Sequence, residues 1–127
     1  MNYEKLHSKY KNSSIQGRYL NLNSIESFLE FWKTKNKLEI LGLSVQARPI
    51  YKFQIGSGTT KILMWSQMHG NESTTTKGLV DFMNVLQSNS EIAKAILKEY
   101  TFCIIPMLNP DGAFLYKRVN ANEASFA

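Results

Sequence analysis

The sequence predicts an α/β fold, on three observations. Residues 50–55 set Tyr51, Phe53 and Ile55 alternately against Lys52 and Gln54, the period of a half-buried strand. Leu79, Phe82, Met83 and Leu86 recur at i, i+3, i+4 and i+7, the stripe of a helix packed on a sheet. Two apolar runs, 61–68 and 101–105, flank that helix with roughly thirty residues between them, the spacing of a parallel crossover unit.

The elements follow in chain order. Residues 1–20 read as a polar leader, expected to be poorly ordered, and residues 21–127 as the folded part. Asn23-Ser24-Ile25-Glu26 offers a helix start, with Glu26 three residues after Asn23 as in a capping box. Ile25, Phe28, Leu29 and Trp32 share one face of that helix, which is expected to end near Thr34. Leu38 to Leu43 is a short apolar run, and the alternating strand follows it. Gly56-Ser57-Gly58 then breaks the chain before a strand in which Ile62-Leu63-Met64-Trp65 is apolar on both faces. That pattern predicts a place in the sheet interior. Ser73 to Thr76 is rich in helix-capping types. A second short helix is predicted from Ser90, with Ile92 and Ile96 inward, and the strand at 101–105 stops at Pro106.

Composition narrows the function classes. A chain of 127 residues can bury a core, and 43% hydrophobic with 20% charged residues excludes wholesale disorder. The net charge of +5 comes from scattered lysines and arginines, without a basic stripe interleaved with aromatics, so no nucleic-acid partner is expected. No run approaches about 18 apolar residues, so no membrane-spanning helix is expected. The first 16 residues lack the apolar stretch of a signal peptide, which makes a cytoplasmic location the expectation. The single cysteine, Cys103, stands among apolar residues and reads as a buried structural thiol.

Two groups of residues carry chemistry. His69-Gly70-Asn71-Glu72 lies between a strand and a helix, where ligands gather in open α/β sheets. An imidazole and a carboxylate three residues apart across a tight turn can converge on one metal ion, and Gly70 permits unusual backbone angles there. A glutamate follows a given histidine at this spacing by chance in about one case in sixteen, so the motif alone is weak. Glu72 as a first-turn helix residue and His69 as a turn histidine remain open readings. The second group is Asn109-Pro110-Asp111-Gly112, whose residue types fit a type I turn position by position. Arg118 follows in Tyr116-Lys117-Arg118-Val119-Asn120-Ala121-Asn122, where an isolated arginine is most often a surface residue.

In combination these pieces resemble the zinc carboxypeptidase family. The resemblance spans about residues 38–122: the segment from Lys61 to Glu72, then a helix, a strand ending in Asn109-Pro110-Asp111-Gly112, and Arg118 to Asn122. Ser44 to Ile50 also resembles the family's lead-in hairpin, with Ala47 where a glycine is usual. The resemblance implies the front half of a carboxypeptidase-like mixed sheet with packed helices. It further implies a zinc ion held by two histidines and a glutamate, of which His69 and Glu72 match the first histidine and the glutamate. A metal-bound water would attack the last peptide bond of a substrate, so peptide or protein C-termini are the implied partners. A glutamate much later in the family's chain takes the proton. Arg118 matches the arginine that polarises the scissile carbonyl and steadies the oxyanion, which makes it both a catalytic and a substrate-binding residue.

The departure begins at Glu123. The family continues into an Asp-x-Asn-Arg segment that grips the substrate's terminal carboxylate, whereas here the chain reads Glu123-Ala124-Ser125-Phe126-Ala127. The second histidine ligand and the general base are also missing, so residues 21–127 read as an incomplete catalytic domain. The expectation is a truncated, inactive fragment with unpaired sheet edges, or a split enzyme completed by a complementing chain. Two rivals stand beside it. One is a zinc deacylase of the aspartoacylase and succinylglutamate desuccinylase type, and the other is a non-enzymatic remnant acting as an interaction module.

Overall fold

The computed structural model describes residues 2–124. Four strands form one mixed sheet: β1 (Leu38–Leu43), β2 (Pro49–Gly56), β3 (Thr60–Trp65) and β4 (Tyr100–Ile105). Their order is β1-β2-β4-β3; β1 and β4 both run antiparallel to β2, and β3 runs parallel to β4. The helices are α1 (Tyr3–Tyr10), α2 (Glu26–Thr34), α3 (Thr74–Leu86), α4 (Glu91–Glu99) and α5 (Pro110–Leu115). The predicted crossover is therefore β3-α3-α4-β4. Among the described residues no helix is long and apolar enough to cross a membrane.

One face of the sheet carries the core. Phe53, Phe102 and Ile104 are buried against Phe28, Leu29 and Trp32 of α2 and Leu79, Val80, Met83 and Leu86 of α3. Phe28, Trp32 and Phe53 form a three-ring cluster with centroids 5.5–6.3 Å apart. Both helical stripes thus fall where their spacing puts them.

Several expectations are corrected. Within residues 1–20, residues 3–10 form α1, and Ile15 and Leu20 are buried in the core cluster. The capping box is not made by Asn23. Instead Asn21 Oδ1 accepts from the Asn23 and Ser24 backbone N–H groups, which starts a single 3-10 turn ahead of α2. β3 is an edge strand among the described residues, with Ile62 and Met64 toward the core while Leu63 and Trp65 are 57% and 49% exposed. Its apolar outer face is uncovered. Ile92 points outward; Ala93, Ile96 and Leu97 are the inward residues of α4. Cys103 is half-buried on the outer face of β4. Asn109 to Gly112 is not a free turn but the start of α5, with Asn109 Oδ1 accepting from Gly112 N–H at 2.9 Å and proline in the first turn. The Ser125-Phe126-Ala127 tail lies outside the described residues.

Candidate metal centre

The site forms where β3 ends. Beyond Trp65 the chain keeps company with the extension of β4: Leu108 N–H donates to Ser66 O at 3.0 Å and Asn109 N–H to Gln67 O at 3.1 Å. The turn His69–Glu72 then closes through Glu72 N–H to His69 O at 3.0 Å. His69 is buried, whereas the Glu72 side chain is half exposed.

His69, Glu72 and Arg118 come together. His69 Nδ1 lies 3.1 Å from Glu72 Oε2, and Arg118 Nη1 donates to Glu72 Oε1 at 2.6 Å. The hydrogen bond to His69 is the main cause holding the Glu72 carboxyl below its ordinary range; partial burial opposes it, and Arg118 adds to it.

The Arg118 segment is tied to the turn by backbone groups. Gly70 N–H donates to Arg118 O at 3.4 Å, and Asn109 Nδ2 reaches both Met68 O at 3.2 Å and Arg118 O at 3.5 Å. Gly70 is needed for closeness rather than for an unusual angle. Its φ is not positive, but a β-carbon there would collide with the Gly112 and Ala113 backbone. Asn120 folds the following residues into a tight turn, its Oδ1 accepting from Asn122 N–H and Ala124 N–H, both at 2.9 Å.

The donor chemistry fits zinc in part. Two atoms each about 2.0–2.2 Å from one ion lie at most about 4.4 Å apart. The His69 Nδ1 to Glu72 Oε2 distance of 3.1 Å satisfies that limit. Among the described residues no group of three or more histidines, cysteines or carboxylates gathers. The other histidine, His7, sits on α1 beside Asp81 at 4.0 Å. A catalytic zinc ion takes three protein ligands and keeps one position for water, and His69 and Glu72 are two side chains of suitable type. A surface cavity of about 400 Å³ adjoins Glu72, lined also by Arg18, Asn71, Ser73, Thr74 and Thr75. A larger one, about 520 Å³, lies between α2, the β1–β2 hairpin and α5 and touches neither His69 nor Glu72.

Two residues of the neighbourhood escaped the sequence reading. Asp111 is 1% exposed and accepts from Ser44 Oγ (2.8 Å), Gln46 N–H (3.1 Å) and Arg48 Nη1 (2.7 Å). It latches the β1–β2 hairpin onto α5, with Arg48 stacked on Phe114 at 4.1 Å. Burial pushes its carboxyl up, but the bonds from Ser44, Arg48 and Gln46 and the Arg48 charge outweigh that and hold it below the ordinary value. Gln67 is the other. Its one signal was a polar residue inside an apolar run, Met64-Trp65-Ser66-Gln67-Met68.

Comparison with known proteins bears on the family and the fold. Residues 25–124 match the family model described as zinc carboxypeptidase. The chain is 33% identical over 95 residues to gamma-D-glutamyl-L-diamino acid endopeptidase 1 of Lysinibacillus sphaericus, covering 66% of this chain and 24% of that protein. It is 39% identical over 54 residues to cytosolic carboxypeptidase 6 of Caenorhabditis elegans, covering 42% of this chain and 12% of the relative. A metallo-carboxypeptidase from Burkholderia cenocepacia shares the fold, with a TM-score of 0.73 at 23% identity over 81% of this chain and 30% of that one. The chain therefore spans a quarter or less of these two relatives and under a third of that solved structure.

Proposed function

Because this chain belongs to the zinc carboxypeptidase family, we propose that His69 and Glu72 are two ligands of a catalytic zinc ion. In the same reading Arg118 is the residue that polarises the scissile carbonyl of a peptide. The observation that carries this is the convergence of the His69 imidazole and the Arg118 guanidinium on the two oxygens of the Glu72 carboxylate. Bound zinc would supply an acidified water and a Lewis acid. The rest falls to the chain itself. His69 presents Nδ1 from a buried ring, and Glu72 keeps its charge because its carboxyl sits below the ordinary range. Arg118 stands beside the pair, where a fixed cation lowers the energy of a developing oxyanion.

The substrate is a peptide, cleaved at its carboxy-terminal bond. The relative named as an endopeptidase for gamma-D-glutamyl-L-diamino acid linkages makes an internal bond the second reading. The family match favours this reading over the deacylase alternative. Among the described residues no third ligand joins His69 and Glu72, and β3 is an open edge of the sheet. The site sits at the C-terminal end of that open edge, next to the exposed Leu63 and Trp65. By itself the chain turns over peptides negligibly. Four-ligand structural zinc sites bind with about 10–16 kcal/mol. Half of that, roughly 5–8 kcal/mol, corresponds to a Kd between about 1 μM and 0.2 mM.

Isothermal titration with zinc tests the reading. One-to-one binding in that range is expected, lost in both His69→Ala and Glu72→Ala. A chain that binds no zinc while folded is an interaction module instead, and the proposal fails.

A further inference from the structure

We propose that Gln67 is the positioning residue of this site, the group that sets the His69–Glu72 turn in its ligating shape. The inference rests on the reading of His69 and Glu72 as metal ligands.

Gln67 stands two residues before His69 and is 2% exposed. Its backbone is left-handed, with φ 48°, a conformation that costs a side chain with a β-carbon energy unless something holds it there. The side-chain amide does the holding. Nε2 donates to Leu20 O at 2.7 Å and to Gly70 O at 2.8 Å, while Oε1 accepts from Thr76 Oγ1 at 2.7 Å. Two carbonyl acceptors on one side and a hydroxyl donor on the other fix which end is nitrogen. One amide thus joins three pieces of chain: the segment leading into α2, the ligand turn at the Gly70 carbonyl, and the first turn of α3. The Ser73 hydroxyl reinforces the same junction, donating to Arg18 O at 2.5 Å. Neither hydroxyl serves as a helix cap, and α3 begins without a side-chain cap bond.

A glycine would take this backbone conformation more easily, yet it carries no amide. An asparagine tolerates the left-handed region but is one methylene too short to span the three partners. The sequence keeps the residue that is strained and bonded over those that are relaxed and unbonded. That choice makes sense if the direction of His69 matters more than local backbone comfort.

Zinc titration of wild type, Gln67→Asn, Gln67→Gly and Leu86→Ala tests this, with folding checked by circular dichroism. Leu86 is buried near the far end of α3, about 18 Å along the helix from Thr74 at 1.5 Å per residue. The two Gln67 variants should weaken zinc binding about tenfold, the size seen when support behind a ligand is removed. Leu86→Ala should lower the melting temperature while leaving the zinc Kd within twofold. A merely structural role for Gln67 would make all three variants alike, with lower stability and unchanged affinity, and would overturn the proposal. Should the Gln67 variants not fold, the wild type still decides. Its Gln67 side-chain amide protons should be resolved by NMR and slow to exchange, and exchange as fast as an exposed glutamine's would refute the clamp. A wild type that binds no zinc sinks the metal reading and this inference together, whereas zinc binding indifferent to Gln67 sinks the inference alone.

Discussion

Replacing Asp111 by alanine should cost about 2–3 kcal/mol of stability, and the structure says why the figure is neither smaller nor larger. The carboxylate is 1% exposed and receives three hydrogen bonds, one from a guanidinium at 2.7 Å. Breaking a buried ion pair by removing one partner costs about 3–5 kcal/mol when the surviving charge stays buried. Here Arg48 keeps 23% of its side chain exposed and a stacking contact with Phe114, so it regains water and the cost falls below that range. Ser44 Oγ still accepts from Arg48 N–H at 3.0 Å, while the Ser44 hydroxyl proton and Gln46 N–H lose their acceptor. With a urea dependence of about 1.5 kcal/mol per molar, the denaturation midpoint should fall by about 1.3–2 M. A shift under about 0.5 M would refute the latch. The pH dependence supplies a second arm. Because the folded Asp111 carboxyl lies below its unfolded value, its contribution is fully present above about pH 4 and is lost as the pH falls through the folded value. The stability difference between wild type and Asp111→Asn should shrink across that acid window. A difference independent of pH would show that the charge on Asp111 is irrelevant.

Three further outcomes follow from individual residues. Ala47 has φ 57° in the β1–β2 turn, so Ala47→Gly should stabilise the chain by about 0.5–1 kcal/mol in urea denaturation, the relief of left-handed strain less the entropy glycine loses. Gly70→Ala forces a β-carbon onto the Gly112 and Ala113 backbone and should destabilise by about 3 kcal/mol or more, read as a lowered melting temperature. Arg118→Ala removes a cation bonded to Glu72 Oε1 and should tighten zinc binding about two- to fivefold, the worth of an exposed ion pair, as read by isothermal titration.

Sequence periodicity located the sheet and its main helices because burial in those elements is local and repetitive. The stripes of α2 and α3 needed only their own spacing, and the alternation of β2 named its inner face correctly. β3 was misplaced because residues apolar on both faces look alike whether a neighbouring strand is present or not, and here Leu63 and Trp65 face outward uncovered. α1 was missed because its sequence is polar and its anchors, Tyr10, Ile15 and Leu20, are spaced too widely to make a stripe. At the site, the order of the His69 turn, the Asn109 segment and Arg118 could be read along the chain. The roles of Asp111 and Gln67 could not, since Asp111's partners lie 63–67 residues away in sequence and the Leu20 carbonyl that Gln67 reaches lies 47 away.

Zinc-edge anomalous diffraction from crystals grown with the metal addresses the central claim most directly. A single strong peak within about 2.0–2.2 Å of both His69 Nδ1 and a Glu72 carboxylate oxygen is the predicted result. Zinc seated elsewhere, or the two side chains pointing to different places, would contradict it.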